Sequence, residues 1–333
     1  MRRPGRRDVP AGVLASSSVG SDRLRSPRAP VPVTGDDPGT STVLLHTSEA
    51  ILLDVRDLAE RDRIVTFLTR ERGKKSGVAR GARARHSRFA GQLQPLAKAQ
   101  ITWFEKPGRD LVRISAVELV RPVHRLQADL EGILLGSYLA DHMLEFAQED
   151  ESSELLFRLL DSTLEALLAG VDQDVAARYF ECWVLRLGGI FPAPDACPRC
   201  AAPLAARAVL PPHGETLLCP ACARGSAAPG HEDVQSGDHG ERPQRPQRPQ
   251  RPQPGERAGT VARDGRTPGM IVGAETLEFL RRIGRCTLPQ AGRPAPAGRT
   301  LRQVEELCAR VRRHFLQREL RSYDVIQRTR AAL

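Results

Sequence analysis

The sequence predicts an α+β chain of several domains, a small all-β barrel followed by an all-α domain that carries a four-cysteine module. Three observations lead there. Short apolar or alternating segments broken by Gly, Pro and charged turns fill 43–122; helical three- and four-residue spacing takes over after Pro122; and two Cys-x-x-Cys pairs interrupt the helical part. The chain has 333 residues and 40% hydrophobic content, enough for two cores, while 28 Gly and 26 Pro point to irregular stretches.

Residues 1–42 are rich in Arg, Pro, Ser, Gly and Val without periodicity, and read as a disordered basic tail or the product of a misassigned translation start. Within 43–122, strands are expected at 50–56, 64–69, 76–81, 96–104 and 111–120, with Lys106-Pro107-Gly108 turning between the last two. Five strands in so short a span fit an OB-fold, an architecture used for oligonucleotides, with an SH3-like barrel as the competitor. The helical domain opens over 123–196. There Leu135, Tyr138, Leu139, Met143 and Phe146 share one helix face, Leu156, Leu160, Leu164 and Leu167 belong to a second helix, and Val175, Tyr179, Trp183 and Leu187 repeat along a third until Gly188-Gly189 stops it. Such stripes are core, with no binding role assigned. After the cysteine module at 197–222, residues 223–269 form a low-complexity, disordered insert with Arg-Pro-Gln repeated over 242–253, where proline favours extended polyproline II backbone. Over 270–333 the helical domain closes with helices at 274–283 and 301–325, the last carrying Arg302, Arg310, Arg312, Arg313, Arg318 and Arg321.

A net charge of +10 favours a polyanionic partner, because Lys and Arg that neutralise phosphates release condensed counterions. Charge alone does not separate nucleic acid from anionic membrane. No apolar run approaches the ~20 residues a spanning helix needs, and the Arg-containing start lacks the apolar stretch of a signal peptide, so a cytoplasmic location with no membrane partner is expected. Only four of the 50 basic residues are Lys, a bias that codon usage explains better than phosphate chemistry does.

The most specific motif is Cys197-Pro-Arg-Cys200, eighteen intervening residues, then Cys219-Pro-Ala-Cys222. Each pair makes a tight turn presenting two thiolates to one tetrahedral Zn²⁺, and four protein ligands leave no open position for a reacting water, so a structural ion is expected. Such ions contribute on the order of 10 kcal/mol in small modules. A redox pair is the weaker alternative, since neither motif follows a strand in a βαβ setting. Cys182, Cys286 and Cys308 have apolar neighbours and read as small buried hydrophobes. The second feature is the run over 72–88, in which seven Lys or Arg occur without an acidic residue. Like charges at this density repel unless an anion sits among them, which suits a hairpin and loop following a phosphate backbone; a solvated loop is the alternative. Gly73-Lys74-Lys75-Ser76 lacks the upstream glycine of a phosphate-binding loop. Scattered single histidines, with no Ser-His-Asp pattern and no clustered carboxylates, give no reason to expect an enzyme.

Thr69, Gly73-Lys74, Gly81-Ala82-Arg83, Ser87-Arg88-Phe89, Gln94-Pro95-Leu96 and Glu118-Leu119 together resemble the N-terminal domain of the RecO family. Tyr138, Arg178-Tyr179-Phe180-Glu181, Gly188, Pro192, the four cysteines and Arg318-Glu319-Leu320-Arg321-Ser322 are similar to its later part, so the likeness spans 43–222 and 270–325. The resemblance implies a recombination mediator that binds single- and double-stranded DNA, anneals complementary strands, engages RecR and single-stranded-DNA-binding protein, and helps RecA load. It makes Lys74, Lys75, Arg80, Arg83, Arg85 and Arg88 the candidate phosphate contacts. Phe89, Trp103 and Phe104 are the aromatics nearest that surface, and one of the adjacent pair must face inward because strand side chains alternate. The tail and the insert depart from the family pattern without removing a motif. Two rival readings are a metal-dependent nuclease, which needs an open metal site or clustered acids, and a zinc-stabilised protein–protein adaptor.

Overall fold

The computed structural model describes residues 31–32, 43–212, 214–225 and 269–332. Most of the N-terminal tail and nearly all of the Arg-Pro-Gln insert therefore lie outside the described residues. One short piece of the tail does not: β1 (Val31–Pro32) pairs antiparallel with Leu45 and Leu44.

Five strands form the N-terminal ring: β2 (Leu44–Leu58), β3 (Asp62–Thr69), β4 (Gly73–Ala79), β5 (Lys98–Glu105) and β6 (Leu111–Arg121). These are the five strands expected, with β2 starting six residues earlier than the expected 50. The extra length lets β2 serve two neighbours. Leu44 to Ile51 pair with β5, Ala50 to Leu58 pair with β3, and a register shift between Leu52 and Asp54 lets the strand bend from one to the other. The order β2-β3-β4-β6-β5 then returns to β2, closing the ring through a parallel β4–β6 contact. Its interior holds Ala50, Leu52, Val65, Phe67, Ile101, Trp103, Val112 and Ile114, the alternate residues of each strand.

Helices α1 (Leu130–Phe146), α2 (Glu154–Leu168) and α3 (Gln173–Leu187) follow. The Asp129 carboxylate accepts from the Gly132 N–H at 2.7 Å and that of Asp172 from the Val175 N–H at 2.9 Å, so each aspartate caps a helix start. Their apolar stripes meet in one core with Ile51, Leu53, Leu68 and Leu96 from the ring, so ring and helices share buried surface.

A second core gathers the rest. β7 (Arg207–Leu210) lies between the two cysteine pairs and α4 (Pro220–Arg224) completes the second pair, running past 222 into the range read as insert. Beyond the insert, β8 (Met270–Gly273) pairs antiparallel with β7, then α5 (Ala274–Ile283), α6 (Leu288–Ala291), α7 (Gly298–Leu316) and α8 (Arg321–Ala332) complete the chain. The β7–β8 pair ties the cysteine module to the C-terminal helices across the insert. Cys182 and Cys308 are fully buried in this core, as read from their neighbours, whereas Cys286 is half-buried.

The single helix expected over 301–325 is instead two. Gln317 adopts a left-handed backbone, φ 55°, ending α7. Glu319 in the break accepts from Arg312 Nη2 at 2.6 Å and Arg313 Nη2 at 2.9 Å, folding the chain back on the last turn of α7. Arg312, one of the arginines read onto that helix, is fully buried with Tyr138 Oη 2.6 Å from its Nη1.

Candidate nucleic-acid interface and cysteine cluster

The structure divides the basic run into two halves. β4 alternates inward and outward, and the inward set is Gly73, Lys75, Gly77 and Ala79. Lys75 therefore points away from water, 5% exposed, with its ammonium 2.7 Å from Glu105 Oε1 and bonded also to Asp150. Burial alone would lower the Lys75 pKa, but hydrogen bonds to Asp150 and Glu105 more than offset it and the net direction is up. Burial likewise pushes the Glu105 carboxyl up while Lys75 pulls it further down, leaving it below its ordinary value. His46, buried beside them, is held below its ordinary value by burial and by Arg72.

Lys74 turns the other way and is also engaged. Its Nζ donates to Leu144 O at 2.8 Å, satisfying a carbonyl in the last turn of α1, where the helix dipole favours a cation. Around it the β3–β4 turn docks on the α1–α2 linker: Lys74 N–H donates to Gln148 O at 2.9 Å and Ser153 N–H to Arg70 O at 3.1 Å. Gly73 makes this possible. At φ +56°, a Cβ there would lie 2.2 Å from Glu151 O and 2.4 Å from Gln148 O. Lys74 and Lys75, expected to meet phosphate, are thus both engaged within the fold: their ammonium groups join the ring to the helices, and Lys75 has almost no surface to offer.

Arg80, Arg83, Arg85 and Arg88 lie in the exposed loop between β4 and β5. Both ends of that loop are fixed. Gly81 N–H donates to Asp62 Oδ1 at 2.8 Å and Arg83 N–H to Arg61 O at 2.9 Å, holding it against the β2–β3 turn. At the far end Phe89 and Leu93 insert into the ring core. Arg83 also donates to Ala59 O at 3.1 Å and sits 3.5 Å from Asp57, and Arg88 lies 4.8 Å from the centroid of the Phe89 ring. Among the described residues neither Arg80 nor Arg85 has an ion-pair partner. Four guanidiniums thus project from a segment pinned at both ends.

The aromatics sort in the same way. Phe89 is 2% exposed and Trp103 fully buried, so neither can stack on a base. Phe104 faces outward and is half-buried, opposite Arg113 of β6. It lies on the outer side of the ring in one row with Arg113, Val78 and Ile64, which stand opposite one another in register.

The cysteine motifs converge. The sulfurs of Cys197, Cys200, Cys219 and Cys222 lie within 4.8 Å of one another, with Cys200 and Cys219 3.7 Å apart. The first knuckle closes by Ala201 N–H to Cys197 O and Cys197 N–H to Ala202 O, both 2.8 Å; the second begins α4, where the Cys219 sulfur accepts from the Cys222 N–H at 3.4 Å. Burial pushes the Cys197 thiol up, yet backbone N–H groups of Cys219, Arg199 and Cys200 bring it down to about 6. Hydrogen bonds with the Cys200 and Cys219 sulfurs push Cys222 up to about 12. Such mutual dependence is what four thiols sharing one small volume produce, and the set is close enough to hold one metal ion.

Sequence reading missed the polar network at the centre of the helices. Arg178 Nη1 lies 2.6 Å from Glu305 and its Nη2 2.9 Å from Glu181, Tyr138 Oη bonds Glu181, and Arg330 Nη1 lies 2.9 Å from Glu305. Since Arg312 can only donate, the 3.4 Å contact with His142 Nε2 makes that nitrogen the acceptor, and Nδ1–H donates to Tyr138 O at 2.8 Å. His142 is therefore neutral, its pKa well below the ordinary value through burial and then Arg312. Among the described residues no helix is long and apolar enough to cross a membrane.

Comparison with known proteins places this geometry in a lineage. Residues 43–123 match the model for the N-terminal part of recombination protein O, and 127–234 match the model for its C-terminal part. A DNA repair protein RecO of Anaeromyxobacter sp. (strain K) is 40% identical over 176 residues, 53% of this chain and 69% of that protein. A DNA repair protein RecO of Geobacter sulfurreducens is 35% identical over 188 residues, 56% of this chain and 76% of the relative. With the N-terminal and C-terminal family models matched in order over 43–234 and two thirds of a relative's length covered at 40% identity, the chain belongs to the RecO family.

Proposed function

We propose that this chain is a DNA-binding recombination mediator without turnover of its own. It binds single- and double-stranded DNA, anneals complementary strands and helps RecA load in recombinational repair, with RecR and single-stranded-DNA-binding protein as partners. The observation that carries the reading is the pinned loop with Arg80, Arg83, Arg85 and Arg88 in the open, on a ring whose relatives are named for DNA repair. The ring order, closed by a parallel contact between its third and fifth strands, is the connectivity of an OB-fold. OB-folds take oligonucleotides across the face of their second and third strands and the turns beside it, here β3, β4, the β2–β3 turn and the β5–β6 turn with Lys106 and Arg109. Guanidiniums following a backbone, with Phe104 as the stacking surface, give affinity that tolerates sequence and falls with salt.

The cysteine cluster fits zinc. Four soft thiolate donors select it over harder ions, and the 3.7 Å between Cys200 and Cys219 is close to the edge of a tetrahedron whose Zn–S bonds are about 2.3 Å. Cys197, Cys200, Cys219 and Cys222 would hold the ion with no open position, so its contribution is to hold β7 and α4 on the second core. Cys219→Ser is expected to lower the zinc content and the melting temperature while leaving DNA binding by the ring in place.

The functional reading is tested by mixing two labelled complementary strands with the full chain and following duplex formation by fluorescence transfer, with gel analysis of strand length alongside. Faster annealing with intact strands is expected. No acceleration despite binding would refute the mediator reading, and shortened strands would return the nuclease.

A further inference from the structure

Arg186 lies in the last turn of α3, Arg281 in the last turn of α5, and Gly284 and Arg285 directly after α5. Between these two helix ends and the segment leading into the cysteine cluster is an open cavity of about 340 Å³. Three guanidiniums line it, those of Arg186, Arg281 and Arg285, against one carboxylate, Asp195.

Two of the guanidiniums are held in place before any ligand arrives. Arg186 donates from Nη2 to Leu280 O at 3.0 Å and lies 4.7 Å from the Phe191 ring centroid and 5.3 Å from that of Trp183. Gly284 clears the space it occupies, because a Cβ there would sit 2.5 Å from Arg186 Nη1. Arg281 donates from Nη2 to Pro194 O at 2.8 Å and Leu204 O at 2.7 Å. The one lining carboxylate among the described residues is shared at long range: Asp195 Oδ1 lies 3.5 Å from Arg281 Nε and 3.6 Å from Arg285 Nη2, beyond the roughly 2.7–2.9 Å of a charge-assisted bond. Two oriented guanidiniums and the exposed Arg285 thus bring an excess of positive charge to the cavity, the arrangement that recognises a tetrahedral oxyanion.

We propose that this cavity binds a backbone phosphate of a second polynucleotide segment, with Phe191 as the apolar wall for the adjoining sugar or base. The inference rests on the DNA-binding reading above and adds a site apart from the ring. α5 packs on α3, α6, α7, β7 and β8, whereas the ring meets α1 and α2. A strand on the arginine loop and another at this cavity could thus be held by one molecule at once.

The test counts labelled hexathymidylate bound per full-length chain at low salt by analytical ultracentrifugation. The native chain is expected to bind two. Arg285→Glu, at a side chain 75% exposed and outside either core, is expected to bind one, as is Gly284→Ala, which displaces Arg186. Replacing Arg80, Arg83, Arg85 and Arg88 is expected to leave one, and adding Arg285→Glu to that variant none. Arg158→Glu, the same change in charge at an exposed position of α2, should still bind two. Undiminished stoichiometry in Arg285→Glu, or complete loss on replacing the loop arginines alone, would overturn the second site and leave the DNA-binding reading standing. No binding by the native chain would overturn both.

Discussion

The strand half and the loop half of one basic run behave as opposites. Over Gly73 to Ala79 the backbone is paired with β3 throughout and with β6 from Ser76 onward, so a side chain's direction is set by its place in the alternation, and Lys75 is carried inward whatever its charge. Over Arg80 to Arg88 the backbone makes turns and each arginine is exposed, with Arg83 also meeting Ala59 O and Asp57. The cations of the first half are engaged within the fold, while in the second half Arg80, Arg85 and Arg88 have no ion-pair partner among the described residues and Arg83 shares the exposed Asp57. A uniform stretch of positive charge in sequence is therefore two environments, an internal joint and an outward, exposed loop.

The largest expected effects come from breaking the joint. Gly73→Ala forces a Cβ onto the carbonyls of Gln148 and Glu151 at a left-handed φ, and should cost about 3 kcal/mol or more. Lys75→Ala leaves the Glu105 carboxylate without its closest cation and should cost about 3 kcal/mol. Denaturant titration measures both, and the comparison further requires that the still-folded fraction of either variant bind DNA as the native chain does.

The joint should also show in the pH dependence of stability. Glu105 in the fold holds its carboxyl below the ordinary value of 4.5, so it contributes stability above that value and loses it as pH falls through the folded one. Lys75 is raised above 10.5, so its contribution is complete below that value and fades at higher pH. Between the two the joint is intact. Glu105→Gln should lower stability at neutral pH and flatten the acid limb below pH 4.5; an unchanged acid limb in denaturation curves would mean that Glu105 is not the group responsible. His142, neutral in the fold, adds an earlier loss as pH drops below about 6.5.

The smallest effect sharpens the outward half. Phe104→Ala should weaken single-strand binding by about 1 kcal/mol, the low end for one base on an aromatic ring, with little change in the salt slope because no charge is removed. A changed slope with unchanged affinity would place Phe104 outside the contact surface.

Much of this was legible in sequence where the signal is local. Cys-x-x-Cys spacing dictates a knuckle, and two knuckles in reach of each other converge. Alternation gave five strands, and the three-and-four spacing gave α1, α2, α3 and α5, with the bounds of α5 as expected. The misses are non-local. β7 and β8 pair across an insert, so nothing adjacent to Leu210 announces Met270. The break at Gln317 follows from Glu319 returning to Arg312 and Arg313, with no Gly or Pro to mark it. Arg312 looks like any surface arginine until Tyr138 and Glu319 close over it. Lys75 is the instructive case, because the signal was present: Gly73, Gly77 and Ala79 are the small residues of an inward face, and Lys75 shares their parity. Charge density drew attention to the wrong property of that residue.

The central claim is that the run's outward half carries the DNA contact and its inward half does not. Fluorescence anisotropy of labelled single-stranded DNA across a salt series tests it most directly, comparing the native chain with Arg80/Arg83/Arg85/Arg88→Ala and with Lys75→Met at a temperature where both are folded. Affinity of the four-arginine variant should fall tenfold to a hundredfold, with the log–log slope reduced by about 3 if each arginine neutralises one phosphate, while the Lys75 variant retains the native slope. A native slope in the four-arginine variant together with a reduced slope in the Lys75 variant would contradict the division.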